Sequence, residues 1–369
     1  MMADRSTFYL NPLRRMPVWT YSLRENLCAA GPSGHMRARR YLEQPYEDDK
    51  HGLTRGRAAT PWRPYVHAYF QCERPRAGEP VLWAGVDALD CGFRMCDLYA
   101  VDGIAYEGLM LHGLAVLHGP KLSGETKNNS VHLAFSRNGF HLTRPPPGSG
   151  TRWRKPFFSP PRHVRLGEGQ MLSVSNVQMA QGSPIIHGAE LLFYFGFGAT
   201  RGPGPEPPTR SVSSNYVEGT GLATLRRDGF ASMGPAAGAS GGVLLTRPIS
   251  LPRKRLHLFV NAILPTTLSS LRVDISPDER HALHARRCEP AALRLAGPLD
   301  STRARMVLLD AGSSGNLDAC LAEQPVRLRF NLTGGSSRLF AFWMAADATG
   351  KSAGYLAGGE IGMRTIRDV

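Results

Sequence analysis

Two carboxylates, a pair of amides and a cluster of arginines are the residues of this chain whose types and settings offer chemistry. Glu107 stands in an apolar run, between Tyr106 and Gly108. A carboxylate there is costly to bury unless it is paired or functional. With its pKa raised by burial it would serve as a general acid; the alternative is a polar edge position that meets an arginine. Asp4 is the second carboxylate, or else a frayed terminal residue. Asn176 and Gln178 either offer amides to sugar hydroxyls or satisfy a turn. Arg37, Arg39 and Arg40 are spaced to hold a carboxylated or sulfated sugar, or to form a solvated face or ion pairs between elements. Trp19, Trp62, Trp83, Trp153 and Trp343 could each stack on a sugar ring or pack in a core.

Other chemistries find no pattern. There is no glycine-rich phosphate loop and no Ser/His/Asp order. His141, His163 and His187 fall in turns or loops without ligand spacing. The six cysteines, Cys28, Cys72, Cys91, Cys96, Cys288 and Cys320, make no CxxC pair and no zinc spacing. The reading is therefore no cofactor and no metal. Cys288 and Cys320 could pair in an exported protein; buried free thiols are the alternative. Asn128-Asn129-Ser130 and Asn331-Leu332-Thr333 have the form of glycosylation sequons, a pattern that recurs by chance.

The elements that must position these residues read as strands. The chain has 369 residues, enough for two domains, and is 42% hydrophobic, enough for real cores. Its 40 Gly and 28 Pro punctuate short apolar runs, and sustained helical periodicity with caps is missing. The formal charge of +14 favours an acidic partner in general. The arginines are scattered, however, and form no nucleic-acid-binding motif or stripe. No apolar run reaches the roughly eighteen residues of a membrane-crossing helix.

The clearest local signal is a hairpin. Apolar runs Ser183 to Ile186 and Leu191 to Phe195 flank the tight turn His187-Gly188-Ala189-Glu190. Strands are also predicted at Thr7 to Tyr9 and Val18 to Ser22, and in the runs from Val81, Leu98, Ile104, Gly113 and Val131. Ser136-Arg137-Asn138-Gly139 reads as a turn, since Asn and Gly tolerate the left-handed conformation. Residues 44–80 read as a long loop, and Arg201-Gly-Pro-Gly-Pro-Glu-Pro-Pro opens the best linker stretch. This places a first unit at 1–205, a linker at 206–218, a second unit at 219–350 and a glycine-rich tail at 351–369. About seven short strands in the second unit, Gly221 to Leu225, Gly242 to Thr246, Arg255 to Asn261, Leu271 to Ile275, Met306 to Leu309, Val326 to Asn331 and Leu339 to Met344, read as a β-sandwich.

Several segments resemble one family. Asp4-Arg-Ser-Thr-Phe-Tyr-Leu-Asn-Pro-Leu-Arg-Arg with Val18-Trp-Thr-Tyr-Ser-Leu-Arg24, then Arg37-Ala-Arg-Arg-Tyr-Leu-Glu43, resembles one blade of a five-bladed propeller. The family is that of glycoside-hydrolase-like proteins related to the invertase/fructanase (family 32) and arabinanase (family 43) propellers. Ala105-Tyr-Glu-Gly-Leu109, Ser136-Arg-Asn-Gly-Phe-His141 and Asn176 to Pro184 continue the likeness. Ala223-Thr-Leu-Arg-Arg-Asp-Gly-Phe-Ala231, Leu258-Phe-Val-Asn-Ala262, Asp300-Ser-Thr-Arg303 and Leu339-Phe-Ala-Phe-Trp343 resemble the β-sandwich such proteins carry after the propeller.

The resemblance implies an all-β chain, an incomplete five-bladed β-propeller followed by a β-sandwich. It implies carboxylates around a sugar-sized axial pocket. By order along the chain, Asp4 resembles the second-blade stabilising Asp and Glu107 the third-blade acid; Asn176 and Gln178 would face the axial pocket. No segment matches the first blade, so the nucleophile is expected to be missing, and with it most activity of a retaining hydrolase. Three functions stand: a glycoside-hydrolase-like protein acting on a carbohydrate, a non-catalytic carbohydrate-binding or interaction protein, and a polyanion binder. The sugar, the oligomeric state and the compartment stay open, because a signal peptide would lie upstream of Met1.

Overall fold

The computed structural model describes residues 6–14, 18–28, 35–45, 81–91, 96–118, 128–148, 151–159, 163–165, 171–180, 184–201, 216–251, 257–278, 291–308, 325–345 and 348–352. The chain is all-β. Its one helical piece among the described residues is a single turn, Ala88–Cys91.

Strands β1 (Thr7–Asn11), β2 (Val18–Cys28), β3 (His35–Pro45) and β4 (Val81–Ala84) form a four-stranded antiparallel sheet in chain order. Eight more strands form a second sheet: β5 (Cys96–Tyr106), β6 (Leu109–His118), β7 (Asn128–Ser136), β8 (His163–Arg165), β9 (Met171–Met179), β10 (Ile185–His187), β11 (Glu190–Arg201) and β12 (Tyr216–Arg226). Its main path runs β10-β11-β9-β7-β6-β5, with β12 on β11 and β8 on β9. The predicted hairpin is β10 and β11, with Ile186 opposite Leu191 and Gly188 at φ 58 in the turn. Only a residue tolerant of the left-handed region serves there, hence the glycine.

Strand β12 pairs with β11 along its whole length, from Thr200↔Tyr216 to Glu190↔Arg226. Residues 219–226, which the sequence assigns to the second unit, therefore belong to the eight-stranded sheet. Beyond them come β13 (Gly241–Leu245), β14 (His257–Leu264), β15 (Ser270–Pro277), β16 (Ala291–Ala296), β17 (Leu299–Arg305), β18 (Val307–Leu308), β19 (Val326–Thr333) and β20 (Arg338–Ala345). They make a five-stranded sheet, β13-β19-β15-β16-β18, and a three-stranded one, β17-β14-β20.

These two sheets share one core. Leu271, Val273 and Ile275 of β15 and Val326, Leu328 and Phe330 of β19 are fully buried at every second position, as the strand period demands. Val260, Ala262 and Leu264 of β14 and Leu339 of β20 meet them from the three-stranded sheet. Burial of each large side chain contributes about 1.5–3 kcal/mol. The other face of β14 carries Phe259, which stacks on Trp343 at 5.8 Å, and the fully buried Asn261.

Asn261 joins this half to the eight-stranded sheet. Its Nδ2 donates to the Arg227 carbonyl (2.6 Å) and to Asp228 Oδ2 (3.2 Å), while its Oδ1 accepts from Arg226 Nε (2.9 Å). Asp228 accepts in turn from the Tyr106 hydroxyl. Burial, with Asp228 beside it, pushes the Tyr106 phenol well above its ordinary pKa. Phe230, in the same turn, lies against Tyr106, Phe135, Phe157 and Phe193.

Cys91, at the end of the helical turn, and Cys96, at the start of β5, form a disulfide with their Cα atoms 5.3 Å apart, a pair that the sequence did not single out. Cys288 and Cys320 lie outside the described residues, as do Trp62, nearly all of the predicted loop at 44–80 and nearly all of the predicted tail.

Candidate functional site

A cavity of about 520 Å³ opens where β1 and β5 meet β9, β11 and β12. Its lining includes Thr7, Asp102, Asn176, Gln178, Gly198 and Glu218. The strand period explains the amides. Asn176 and Gln178 are two apart on β9 and share a face, while Val177 between them is fully buried on the other.

Register then builds a row across four strands. Asn129 of β7 is opposite Asn176 of β9, Asn176 is opposite Gly198 of β11, and Gly198 is opposite Glu218 of β12. The side chains follow the row. Asn129 Nδ2 donates to Asn176 Oδ1, which also receives Gln178 Nε2 at 3.4 Å. Asn176 bonds the Tyr216 hydroxyl, and that hydroxyl donates to Glu218 Oε1 at 3.4 Å. Gly198 makes the crossing possible, because a Cβ at that position would run into the Tyr216 hydroxyl. Burial raises the Tyr216 pKa, with Glu218 adding to the effect and Asn176 opposing it.

The facing wall comes from β1 and β5. Thr7 Oγ1 donates to the Val101 carbonyl and ties the four-stranded sheet to the eight-stranded one. Asp102, the next residue, is 8% exposed. The lining thus combines two carboxylates, two amides and backbone left open at Gly196, with no Lys or Arg among the described lining residues. Such a set accepts and donates hydrogen bonds in fixed directions and favours a neutral or cationic polyol over an anionic one.

Of the residues singled out from the sequence, Asn176 and Gln178 stand together in this cavity. Glu107 does not line it. It occupies the β5–β6 hairpin turn at φ 52, 3.8 Å from Arg227, and accepts a hydrogen bond from Ser352. Asp4 lies outside the described residues. Arg37, Arg39 and Arg40 are on β3, away from the cavity. The Arg37 amide donates to Asp97 Oδ1 at 3.0 Å, its guanidinium lies 4.0 Å from Asp97 Oδ2, and it sits over the Tyr99 ring. Arg39 is fully buried and Arg40 nearly so, against the reach of a sulfated sugar.

Asp102 and Glu218 are the site residues that sequence reading passed over. Asp102 sits in an apolar run just as Glu107 does, so the same signal was available for it. Glu218 falls at the end of the predicted linker, and its strand is recognisable only through its pairing with β11. Comparison with protein-family models and with curated proteins finds no match to either.

Proposed function

We propose that this chain binds a carbohydrate in the cavity between β1, β5, β9 and β12. Asn176, Gln178 and Glu218 contact hydroxyls on one wall and Asp102 on the other. The observation that carries the reading is the row Asn176–Gly198–Glu218, which aligns an amide and a carboxylate across a glycine capped by the Tyr216 hydroxyl, in a cavity that Asp102 also lines. In this reading the four- and eight-stranded sheets are blades of an incomplete five-bladed propeller whose strands β1, β5 and β9 face the axis. The five- and three-stranded sheets, which share one core, are the sandwich behind it.

The occupant is a neutral or amino sugar. A carboxylated or sulfated ring would face two like charges, and Arg37, Arg39 and Arg40 are on β3 away from the cavity, Arg37 against Asp97.

The test is a printed array of neutral, amino and acidic oligosaccharides, followed by calorimetric titration with a ligand that binds. Glu218→Gln and Asn176→Ala should each weaken binding about ten-fold or more, the cost of one hydrogen bond to a charged or buried partner. Glu107→Gln should leave it unchanged. Binding indifferent to both cavity variants would remove the proposal.

A second reading follows from the presence of two carboxylates in one cavity: hydrolysis of a glycosidic bond, with Asp102 and Glu218 in the acid and base or nucleophile roles. It requires turnover in the native chain that disappears in both Asp102→Asn and Glu218→Gln while sugar binding persists in at least one. Binding without turnover leaves the non-catalytic function.

A further inference from the structure

A second cavity, of about 420 Å³, shares no lining residue with the first and stands in none of the arguments above. Trp83 of β4, Asp87, His141, Arg144 and Arg154 line it. One wall is a fixed indole. Trp83 Nε1 donates to the Phe140 carbonyl at 2.6 Å, and the ring rests on Tyr41 at 5.0 Å.

The remaining wall is an ion-pair network fixed from beneath. The Asp90 side chain is fully buried and takes both Arg144 and Arg154, the latter at 3.0 Å. Arg154 Nη1 also donates to both oxygens of Asp87, at 2.7 and 2.8 Å. Asp87 is further held by the Leu89 amide at 2.8 Å, yet 51% of its side chain stays exposed. Arg144 Nη2 also donates to the Gly85 carbonyl and Arg154 Nε to the Pro145 carbonyl at 3.2 Å, so both forks are fixed and the Nη2 hydrogens of Arg154 face a ligand. His141 stands at the mouth with its Nδ1 bonded to Asn138 Nδ2.

The charges define the class of ligand. Two carboxylates and two guanidiniums cancel. An anion meets Asp87 at the rim, and a bare cation meets Arg154. A neutral ring with one apolar face and several hydroxyls satisfies both walls: C–H groups lie on the indole, and hydroxyls bridge carboxylate and guanidinium.

We propose that this cavity is a second carbohydrate-binding site, for a neutral sugar, with Trp83 as the platform and Asp87, Arg144 and Arg154 as the hydroxyl partners. It stands independently of the first cavity.

The experiment is calorimetric titration of the full chain with the neutral oligosaccharide that binds most strongly on a printed array. It is repeated on Asp87→Ala and Glu218→Gln, each shown folded by circular dichroism and melting temperature. Asp87 is chosen because it is exposed, whereas Trp83→Ala would disturb Tyr41 and His112. Trp83→Phe supplies a second, volume-sparing variant whose loss of the ligand-induced fluorescence change reports on the indole itself. We expect Asp87→Ala to lower affinity at least ten-fold at one site and to leave intact the site that Glu218→Gln removes. Unchanged stoichiometry and affinity in folded Asp87→Ala overturns the second site, and so does an array silent to every neutral sugar. Binding lost only in Glu218→Gln overturns this inference and leaves the first cavity standing; binding lost only in Asp87→Ala does the reverse.

Discussion

Asn176 and Glu218 lie on either side of Gly198, one on each neighbouring strand, and are joined above it through the Tyr216 hydroxyl. The bridge exists because the residue between them has no side chain. Gly198→Ala places a methyl group where the Tyr216 oxygen sits. Overpacking of this kind costs about 1–3 kcal/mol. We expect a lower melting temperature and a loss of sugar affinity close to that of Glu218→Gln. A variant with unaltered stability and affinity would show that the bridge is unimportant.

The joint between the two halves should be measurable on its own. Asn261→Ala takes its donor from the buried Arg227 carbonyl and one of two donors from Asp228, which keeps the Tyr106 hydroxyl, an effect of about 1–3 kcal/mol. Urea unfolding should register that loss, while titration at either cavity should stay near that of the native chain. A neutral result in urea would place the hold between the halves in the Phe230 aromatic cluster instead.

Stability should fall on mild acidification. Burial lowers His112 to about 3, and lowers His132 to about 4 against the opposing pull of Asp90. Both stay neutral in the native state while the unfolded chain protonates near 6.5. The unfolded state therefore binds more protons below that pH, so stability rises with pH through this window. It is fully present above about pH 6.5. It declines by roughly 1.4 kcal/mol per pH unit for each histidine down to about 4, and below that for His112 alone. Thermal melts at pH 7.5 and 5.0 measure the difference, and His112→Phe should roughly halve it, since His132 remains. Asp87, whose carboxyl is held low by Arg154 and the Leu89 amide against the effect of burial, loses its contribution only below the ordinary carboxylate pKa, under the pH of either melt. Melts that superimpose at the two pH values would contradict the account.

Arg37 offers a test of structure against recognition. Its guanidinium faces Asp97, whose side chain is 5% exposed. Removing it takes this cation, 4.0 Å away, from a carboxylate that keeps the Arg37 backbone amide, a loss of about 1–3 kcal/mol. Arg37→Ala should therefore destabilise the fold and leave sulfated-sugar binding, measured on a heparin column, no different from that of the native chain. Loss of heparin retention with unchanged stability would restore the anionic-sugar role.

The strands themselves follow from the residues. Period-two burial in β15 and β19, the Gly188 turn and the Asn138-Gly139 turn were all readable, because each is a local pattern that a folded neighbour only reinforces. β16 and β17 were missed. Ala291 to Ala296 carries Arg294 and small residues, and Leu299-Asp-Ser-Thr-Arg-Ala-Arg has no apolar alternation, so their strand character comes from pairing with β15 and β14. Asn176 and Gln178 were identifiable as candidate sugar contacts, but as residues preceding a strand; their place on one face of β9 follows from its pairing with β11. Which carboxylates join them is a matter of register between strands far apart in sequence. Local sequence carries no record of which residue stands opposite which. Glu107 and Asp102 look alike in the chain, each an acid in an apolar run. The β5–β6 turn sends one to Arg227 and Ser352 at the joint, and the packing of β1 on β5 leaves the other in the cavity.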